Sequence, residues 1–293
     1  AVLEKDPDNV QARRWRGHCR NALGMHAQAL VDYDRALRLA PAHAWSWYAR
    51  GMAKHHLNRF REAVTDYSKC LELDPKSHKA VEWRGYNKAL LGDHLGCYLD
   101  LTRAVALDPE NPWVYFTRGR SLCSLGDLRR AQQDFKTTAR LDPKHADAHA
   151  QLGFLGVATG DDAAALRSFD KAIALDTKGM EYSRLWRYWL RVSAGKPGDK
   201  ARRELPTKDW PGDLAKVLVG DMTQEQLMEA LTIYQINPEE LIARRCEAAF
   251  YLGLRAELAK APDRAHEHFK EVLALGDSTI PEWRAARRLA RVR

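Results

Sequence analysis

The amino-acid sequence predicts an all-α fold made of repeated pairs of antiparallel helices. Proline returns at a constant interval along the chain, at Pro7, Pro41, Pro75, Pro109 and Pro143. Glycine returns with the same period between Gly17 and Gly153, and a small residue follows each glycine after 12 positions. A period of about 34 residues is typical of helical repeat proteins, in which each unit is one supersecondary element. The 293 residues of the chain are enough for a long array of such units.

Each unit carries two amphipathic helices, named helix A and helix B in chain order. In the third unit, "HKAVEWRGYNKALL" is helix A, "GDH" is the turn and "LGCYLDLTRAVAL" is helix B. The proline that follows helix B ends it, because proline cannot continue a helix comfortably. Small residues at the glycine and alanine positions allow the two helices to approach closely. The aromatic residue or leucine four positions after each small residue is expected to fill the space beside the crossing.

This pattern resembles the tetratricopeptide repeat family. In the second unit the resemblance is carried by Trp47, Gly51, Ala63, Tyr67 and Pro75. It covers residues 10–177 as five units, and residues 1–9 fit the end of a truncated preceding unit. The resemblance implies a right-handed superhelical solenoid whose concave face is lined by the A helices.

The remainder of the chain departs from the strict period. Residues 178–237 are predicted to form an irregular helical segment, because proline and glycine divide them into short helices. Residues 238–293 are predicted to hold one further repeat-like unit and a capping helix, since Gly253, Ala265 and Phe269 keep the internal offsets of a unit. The capping helix is expected to present a polar outer face carrying four arginines, Arg284, Arg287, Arg288 and Arg291.

The C-terminal part resembles NlpI-like bacterial tetratricopeptide proteins. The resemblance is carried by Trp210 and Pro211, the segment "VGDMTQEQLMEAL" and the segment "CEAAFYLG". It implies a periplasmic adaptor for proteases and cell-wall enzymes; without it, a cytoplasmic location is the alternative. The five cysteines lie in predicted helices, which fits less well with an oxidising compartment.

An arginine precedes the repeat glycine in four units, and an aspartate follows each of these arginines at one constant separation. The fifth unit has Leu152 and Ser168 at these two positions, so the two charges are present together and absent together. A charge near a helix crossing needs a partner, because leaving it buried alone is costly. The sequence therefore predicts structural ion pairs between helix A and helix B or between adjacent units: Arg16 with Asp32, Arg50 with Asp66, Arg84 with Asp100, and Arg118 with Asp134.

The resemblance also implies that helix A side chains line a peptide-binding groove. Aromatic residues and methionine are abundant there, and such residues are favoured at binding surfaces. The groove predicted across units two to four consists of Trp45, Tyr48, Met52, His55, Lys79, Tyr86, Trp113, Phe116 and Arg120. Two alternatives remain: internal packing of these side chains, or self-association of the chain into a homodimer or larger species.

Other classes of function are not favoured by the sequence. The asparagine of the carboxylate clamp known in this family is replaced by Ala49, Trp83 or Thr117. The net charge of +8 is moderate, and the predicted ion pairs use four of the arginines, which does not favour nucleic acid as a partner. No apolar run approaches the roughly 20 residues of a membrane span. No motif for a cofactor, a metal or catalysis stands out.

The predicted function is therefore a non-enzymatic scaffold or adaptor that binds a peptide or a partner helix in the aromatic groove. A self-associating structural protein is one alternative. A regulatory segment of a larger enzyme is the other, because the opening residues "AVLEKDPDN" are expected to continue a unit that begins upstream.

Overall fold

The structure is a computed structural model that describes residues 2–196, 199–234, 236–276 and 280–290. Within these ranges every regular element is a helix, which confirms the predicted all-α fold class. The chain divides into two compact units, an N-terminal unit Ala1–Thr137 and a C-terminal unit Thr138–Arg293. None of the described helices is both long and apolar enough to cross a membrane.

The N-terminal unit consists of alternating A and B helices. They are α1 (Val2–Lys5), α2 (Val10–Ala22), α3 (His26–Leu39), α4 (Ala44–His56), α5 (Phe60–Leu73), α6 (His78–Leu90), α7 (His94–Leu107), α8 (Pro112–Ser124) and α9 (Leu128–Leu141), the last of which continues into the C-terminal unit. Helices A of repeats one to four are thus α2, α4, α6 and α8, and each packs against the helix B that follows it.

The C-terminal unit begins with one regular helix pair and then becomes irregular. Its helices are α10 (Ala146–Thr159), α11 (Asp162–Leu175), α12 (Glu181–Ser193), α13 (Asp199–Arg203), α14 (Asp209–Val219), α15 (Gln224–Ile233), α16 (Pro238–Leu258), α17 (Pro262–Leu275) and α18 (Pro281–Leu289). A continuous apolar core joins α10–α12 to α14–α18.

The turn between helix A and helix B requires one residue in the left-handed backbone region. Gly24, Gly92 and Gly126 occupy it with φ of 75°, 79° and 81°, and Asn58 takes the same place in the second repeat with φ of 58°. Glycine has no Cβ to clash there, and asparagine tolerates this region better than most residues. The constant period of these positions therefore places the turn in each repeat.

The repeat glycine and the large side chain that fills the crossing meet where helix A and helix B touch. A Cβ placed on Gly51 would lie 2.8 Å from the ring of Tyr67, and one on Gly119 would lie 2.8 Å from the ring of Phe135. Both rings are fully buried. The structure thus places the aromatic side chain in the space that the absent Cβ leaves.

In the first two repeats the ring at this position belongs to a tyrosine, Tyr33 or Tyr67. The hydroxyl groups of both have no hydrogen-bond partner among the described residues. We expect Tyr67→Phe to raise the free energy of unfolding by about 1 kcal/mol, because a buried unsatisfied hydroxyl is costly. Repeats four and five carry phenylalanine at this position, Phe135 and Phe169, so the ring itself is accommodated without the oxygen. Urea denaturation followed by circular dichroism measures the change.

Tyr234→Phe is the matched control for this prediction. The Tyr234 hydroxyl donates to Asp213 Oδ2 at 3.0 Å, so its removal is expected to cost up to about 1 kcal/mol. If both substitutions lower stability equally, the Tyr67 hydroxyl has a partner and the prediction is wrong.

The last helix, α18, does not present all of its arginines to solvent. Arg287 is exposed, but Arg288 Nη1 donates to the carbonyl of Val157 at 2.7 Å and to Asp162 Oδ1 at 2.6 Å. The expected polar outer face is therefore wrong for Arg288, because α18 lies against α10 and its cation meets a carbonyl in the last turn of that helix. Arg291 and part of the basic stretch after Gly195 lie outside the described residues.

Candidate functional site

The predicted arginine–aspartate pairs lie at the A–B helix crossings of the N-terminal unit. In each pair the guanidinium Nε and Nη2 donate to the two carboxylate oxygens of the aspartate, at distances between 2.5 and 2.9 Å. The four pairs are Arg16–Asp32, Arg50–Asp66, Arg84–Asp100 and Arg118–Asp134. Two parallel hydrogen bonds hold each carboxylate in one orientation, which links helix A to helix B in every one of these repeats.

Three of the arginines also reach the preceding repeat. Arg50 Nη1 donates to Asp34 at 2.7 Å, and the same nitrogens of Arg84 and Arg118 donate to Ser68 and Thr102 at 3.3 Å. The hydrogen bond to Asp134 is the main reason that the pKa of Arg118 lies above its usual value. These arginines therefore connect three helices each, and their geometry leaves them engaged within the fold rather than open to a ligand.

A second cation approaches three of the four aspartates, and the sequence analysis missed it. Arg20 lies 2.6 Å from Asp32, Lys54 lies 2.8 Å from Asp66, and Lys88 lies 2.8 Å from Asp100. These cations also recur with the period of the repeat, one helical turn after the first arginine. The fourth repeat has Leu122 at this position, so the period itself was the signal that could have identified them.

Four rings of the predicted groove region form a connected group, the aromatic cluster, made of His55, Trp83, Tyr86 and Trp113. The ring centroids of Tyr86 and Trp113 are 5.2 Å apart, and those of Trp83 and Trp113 are 5.8 Å apart. The His55 ring lies 4.9 Å from Trp83 and 5.7 Å from Tyr86. All four side chains are half-buried, so part of each remains accessible to solvent.

Trp83 is the member of the aromatic cluster that the sequence analysis did not include. It was considered only as the residue that replaces the clamp asparagine. The corresponding positions in the neighbouring repeats are Ala49 and Thr117, both buried, and this loss of repetition hid the role of the indole. A tryptophan at a position that carries a small residue in the neighbouring repeats was the signal that could have identified this ring.

His55 is held in the cluster by a polar contact with the next repeat. Its Nδ1 lies 3.0 Å from Asn87 Oδ1, and the Asn87 amide nitrogen donates to the carbonyl of Trp83 at 2.7 Å. Burial is the main reason that the pKa of His55 lies below its usual value. The lowered pKa favours the neutral imidazole, and this ring meets the Trp83 indole in an edge-type contact with an interplanar angle of 63°.

The other predicted groove residues lie around this cluster but do not all join it. Trp45 is 39% exposed and its ring is 5.6 Å from His18, whereas Tyr48 packs against Tyr67 at 5.9 Å. Burial, followed by the nearby Glu82, raises the pKa of Tyr48 to about 12. Met52 is half-buried, and Phe116 is half-buried with its ring 5.7 Å from Phe135.

The two predicted basic residues differ in how far they are already engaged. Lys79 Nζ lies 3.1 Å from Glu82 Oε2, and Asn111 donates to the other oxygen of this buried carboxylate at 3.1 Å. Arg120 is exposed on the helix that carries Trp113. Arg120 is thus the basic side chain more available to an acidic group of a partner.

Helix A of the fifth repeat, α10, is covered by the C-terminal helices. Phe154 of α10 lies 5.7 Å from the ring of Trp186, and the Trp186 indole nitrogen donates to Glu282 of α18 at 3.3 Å. Among the described residues, no group of three or more His, Cys, Asp or Glu side chains is arranged to hold a metal ion.

Comparison of the sequence with known protein families supports the repeat. The tetratricopeptide repeat family matches residues 44–77, and a second family model of the same description matches residues 1–44 and 116–179. No curated protein matches this chain in sequence. The NlpI-like resemblance of the C-terminal part stays a prediction.

Several solved structures have similar folds. YrrB, a repeat protein described as having an unusual peptide-binding site, is 24% identical with a TM-score of 0.56, covering 61% of this chain and 92% of its own. MamA from Desulfovibrio magneticus is 23% identical with a TM-score of 0.56, covering 58% and 96%. A tetratricopeptide repeat protein from Parabacteroides merdae is 16% identical with a TM-score of 0.57, covering 96% and 97%. At these identities the similarity shows the fold alone. The family matches identify tetratricopeptide repeats in residues 1–77 and 116–179, and the similar folds agree with them.

Proposed function

We propose that the chain is a non-enzymatic scaffold that binds a peptide or a partner helix on the A helices of repeats two to four. The observation that carries this proposal is the aromatic cluster of His55, Trp83, Tyr86 and Trp113, whose rings contact one another and stay half-exposed. Large aromatic side chains lose little rotamer entropy on binding and contribute much of the energy at interfaces.

The general role of the repeat supports the proposal. Tetratricopeptide repeat proteins generally mediate protein–protein interactions, and the similar protein YrrB has a peptide-binding site. The ion pairs support it physically, because three arginines each join helix A to two B helices and so fix the spacing of neighbouring A helices. A preorganised surface reduces the ordering cost of binding.

The chemistry of the proposed partner follows from the rings of the cluster and from Arg120, which is exposed on the helix that carries Trp113. Arg120 favours an acidic side chain or a carboxyl terminus, and the ring faces favour an apolar or aromatic anchor. The proposed ligand is therefore a short segment that combines one apolar anchor with a nearby acidic group.

Selection of peptides from a random displayed library, followed by affinity measurement by fluorescence polarisation, tests this function. We expect Tyr86→Ala combined with Trp113→Ala to weaken the selected peptides at least about tenfold, since central aromatic residues each contribute over about 1 kcal/mol at interfaces. Circular dichroism establishes that the variant retains its helicity.

Trp15→Ala is the matched control, because Trp15 is also on a helix A and 59% exposed but lies outside the cluster. It is expected to leave peptide affinity unchanged. Equal binding by the parent and the cluster variant would place the site elsewhere and reject this groove.

Light scattering of the free chain over a range of concentrations tests the alternative of self-association, which predicts concentration-dependent dimers or larger species.

A further inference from the structure

A separate cleft of about 270 Å³ lies within the C-terminal unit. Its walls come from four helices: Asp147 and Phe154 from α10, Tyr182 from α12, Glu247 from α16 and Glu282 from α18. The volume is just below the roughly 300–1,000 Å³ of pockets that hold drug-sized ligands. The cleft is therefore large enough for a single amino-acid side chain or for a molecule smaller than a typical drug.

Glu282 is the unusual group in this wall. Its side chain is almost entirely buried, with 3% of the residue exposed, and it lines the cleft. The Trp186 indole nitrogen donates to Oε1 at 3.3 Å, but no cation among the described residues forms an ion pair with this carboxyl group. The described part of the chain thus supplies a hydrogen-bond donor to this carboxyl group but no ion pair that would compensate its ionised form, and an uncompensated buried carboxylate is strongly disfavoured.

The neighbouring groups add further acidic side chains to the cleft. Glu247 Oε2 accepts hydrogen bonds from the Trp210 indole nitrogen at 2.6 Å and from the Tyr182 hydroxyl at 3.0 Å. These bonds hold a second carboxylate at the cleft, and Asp147 adds a third acidic side chain at its exposed side. The cleft thus brings three acidic residues from three helices together with two aromatic rings.

We propose that this cleft binds an alkylammonium or alkylguanidinium group, as found in a lysine or arginine side chain or in a small free amine. The cation would supply the counter-charge that the ionised form of Glu282 needs, in hydrogen-bonding contact with its carboxylate. The rings of Phe154 and Tyr182 would cover the aliphatic stem and favour the cation through their π-faces. This inference is independent of the peptide-binding groove, because it uses other residues in the other unit.

The titration of Glu282 gives the proposal a distinctive signature. Burial, followed by the nearby Glu247, raises the pKa of Glu282 to about 8. Its own backbone N–H, the Trp186 indole and then Arg284 on the same helix oppose the rise. The other titratable groups facing it are Tyr251 and Tyr182, whose own pKa values are raised by burial and by these carboxylates. The raised pKa favours the protonated acid near pH 7 when no cation is bound, so a bound cation that ionises Glu282 would release a proton.

Isothermal titration calorimetry of the full chain with N-acetyl-lysinamide, N-acetyl-argininamide and n-butylammonium tests this proposal. N-acetyl-norleucinamide is the neutral probe of matched shape. We expect the cationic probes to bind and norleucinamide to bind at least about tenfold more weakly. At pH 7 the heat of binding should change with the ionisation enthalpy of the buffer, which reports the released proton. If butylammonium binds as tightly as the lysine and arginine amides, the ligand is a small free amine. If the lysine or arginine amide binds more tightly, the ligand is a side chain of a partner.

Glu282→Gln is the decisive variant. Glutamine can still accept from Trp186 and resembles the protonated acid, so the fold is expected to persist, while cation binding should weaken at least about tenfold and its buffer dependence should vanish. Glu229→Gln, which removes an exposed carboxylate of the same unit outside the cleft, should leave affinity within about twofold. Unchanged affinity in Glu282→Gln, equal binding of norleucinamide, or no binding by any cationic probe up to its solubility limit would each overturn the proposal.

Discussion

Replacing Arg84 by leucine is expected to lower the free energy of unfolding by about 3 kcal/mol, at the lower end of the range for breaking a buried ion pair. The reason is Asp100, which is 5% exposed and receives two hydrogen bonds from Arg84. Without the guanidinium its charge is left with Lys88 alone, at 2.8 Å. Urea denaturation followed by circular dichroism measures the loss.

The double replacement Arg84→Leu with Asp100→Ser is expected to cost much less, about 1 kcal/mol, because it leaves no uncompensated buried carboxylate. The fifth repeat carries this combination naturally, as Leu152 and Ser168, so the helix crossing accommodates it. The complete double-mutant cycle, which includes Asp100→Ser alone, measures the coupling energy, which we expect to be at least about 2 kcal/mol.

Lys69→Leu is the matched control for the ion-pair cycle. Lys69 pairs with Glu72 at the surface of α5, with the two side chains 45% and 62% exposed, and such a pair contributes at most about 0.5 kcal/mol. If Arg84→Leu costs no more than Lys69→Leu, or if the double variant is as unstable as the single one, the pairs do not stabilise the crossing.

Replacing Gly153 by alanine is expected to lower the free energy of unfolding by about 2 to 3 kcal/mol, since overpacking of a core costs about 1–3 kcal/mol. A Cβ at this position would lie 2.5 Å from Cε1 of the Phe169 ring, which is too close for any pair of carbon atoms. Phe169 cannot move away easily, because it is fully buried and its ring lies 5.1 Å from Phe154.

The sign of this change is itself diagnostic. In an open helix, glycine to alanine stabilises by about 1 kcal/mol through helix propensity, so a gain in stability would show that the crossing is not tight. In a Phe169→Leu background the penalty of Gly153→Ala should shrink, because the third repeat pairs Gly85 with the smaller Leu101. Thermal and urea denaturation of the four proteins of this cycle provide the measurement.

The predicted all-α repeat fold is confirmed, whereas the division of the chain into segments stays a prediction. The all-α repeat could be predicted from the period of the sequence, because helix pairs and the turns between them depend on local backbone preferences. The candidate groove was less accessible to sequence reasoning. Its predicted residues include three members of the aromatic cluster, but Trp83 was missed since its position is small in both neighbouring repeats.

The C-terminal unit shows why a periodic argument stops where the period ends. The sequence of α18 predicts an amphipathic helix, yet nothing in it indicates that Arg288 meets α10 or that Glu282 is buried beside Trp186. These contacts join positions far apart in the chain, and no spacing rule connects them.

The sequence by itself determined the repeat and its helix pairs, because these follow from helix geometry repeated at a constant interval. The joint presence and absence of the two charges predicted that each arginine pairs with an aspartate, but left open whether the pairs lie within or between units. The tertiary structure alone decided which rings form the aromatic cluster, which cations share an aspartate and which carboxyl groups line the cleft of the C-terminal unit. Those features depend on packing between elements distant in the chain, where burial and the absence of a counter-charge arise only after the helices have met.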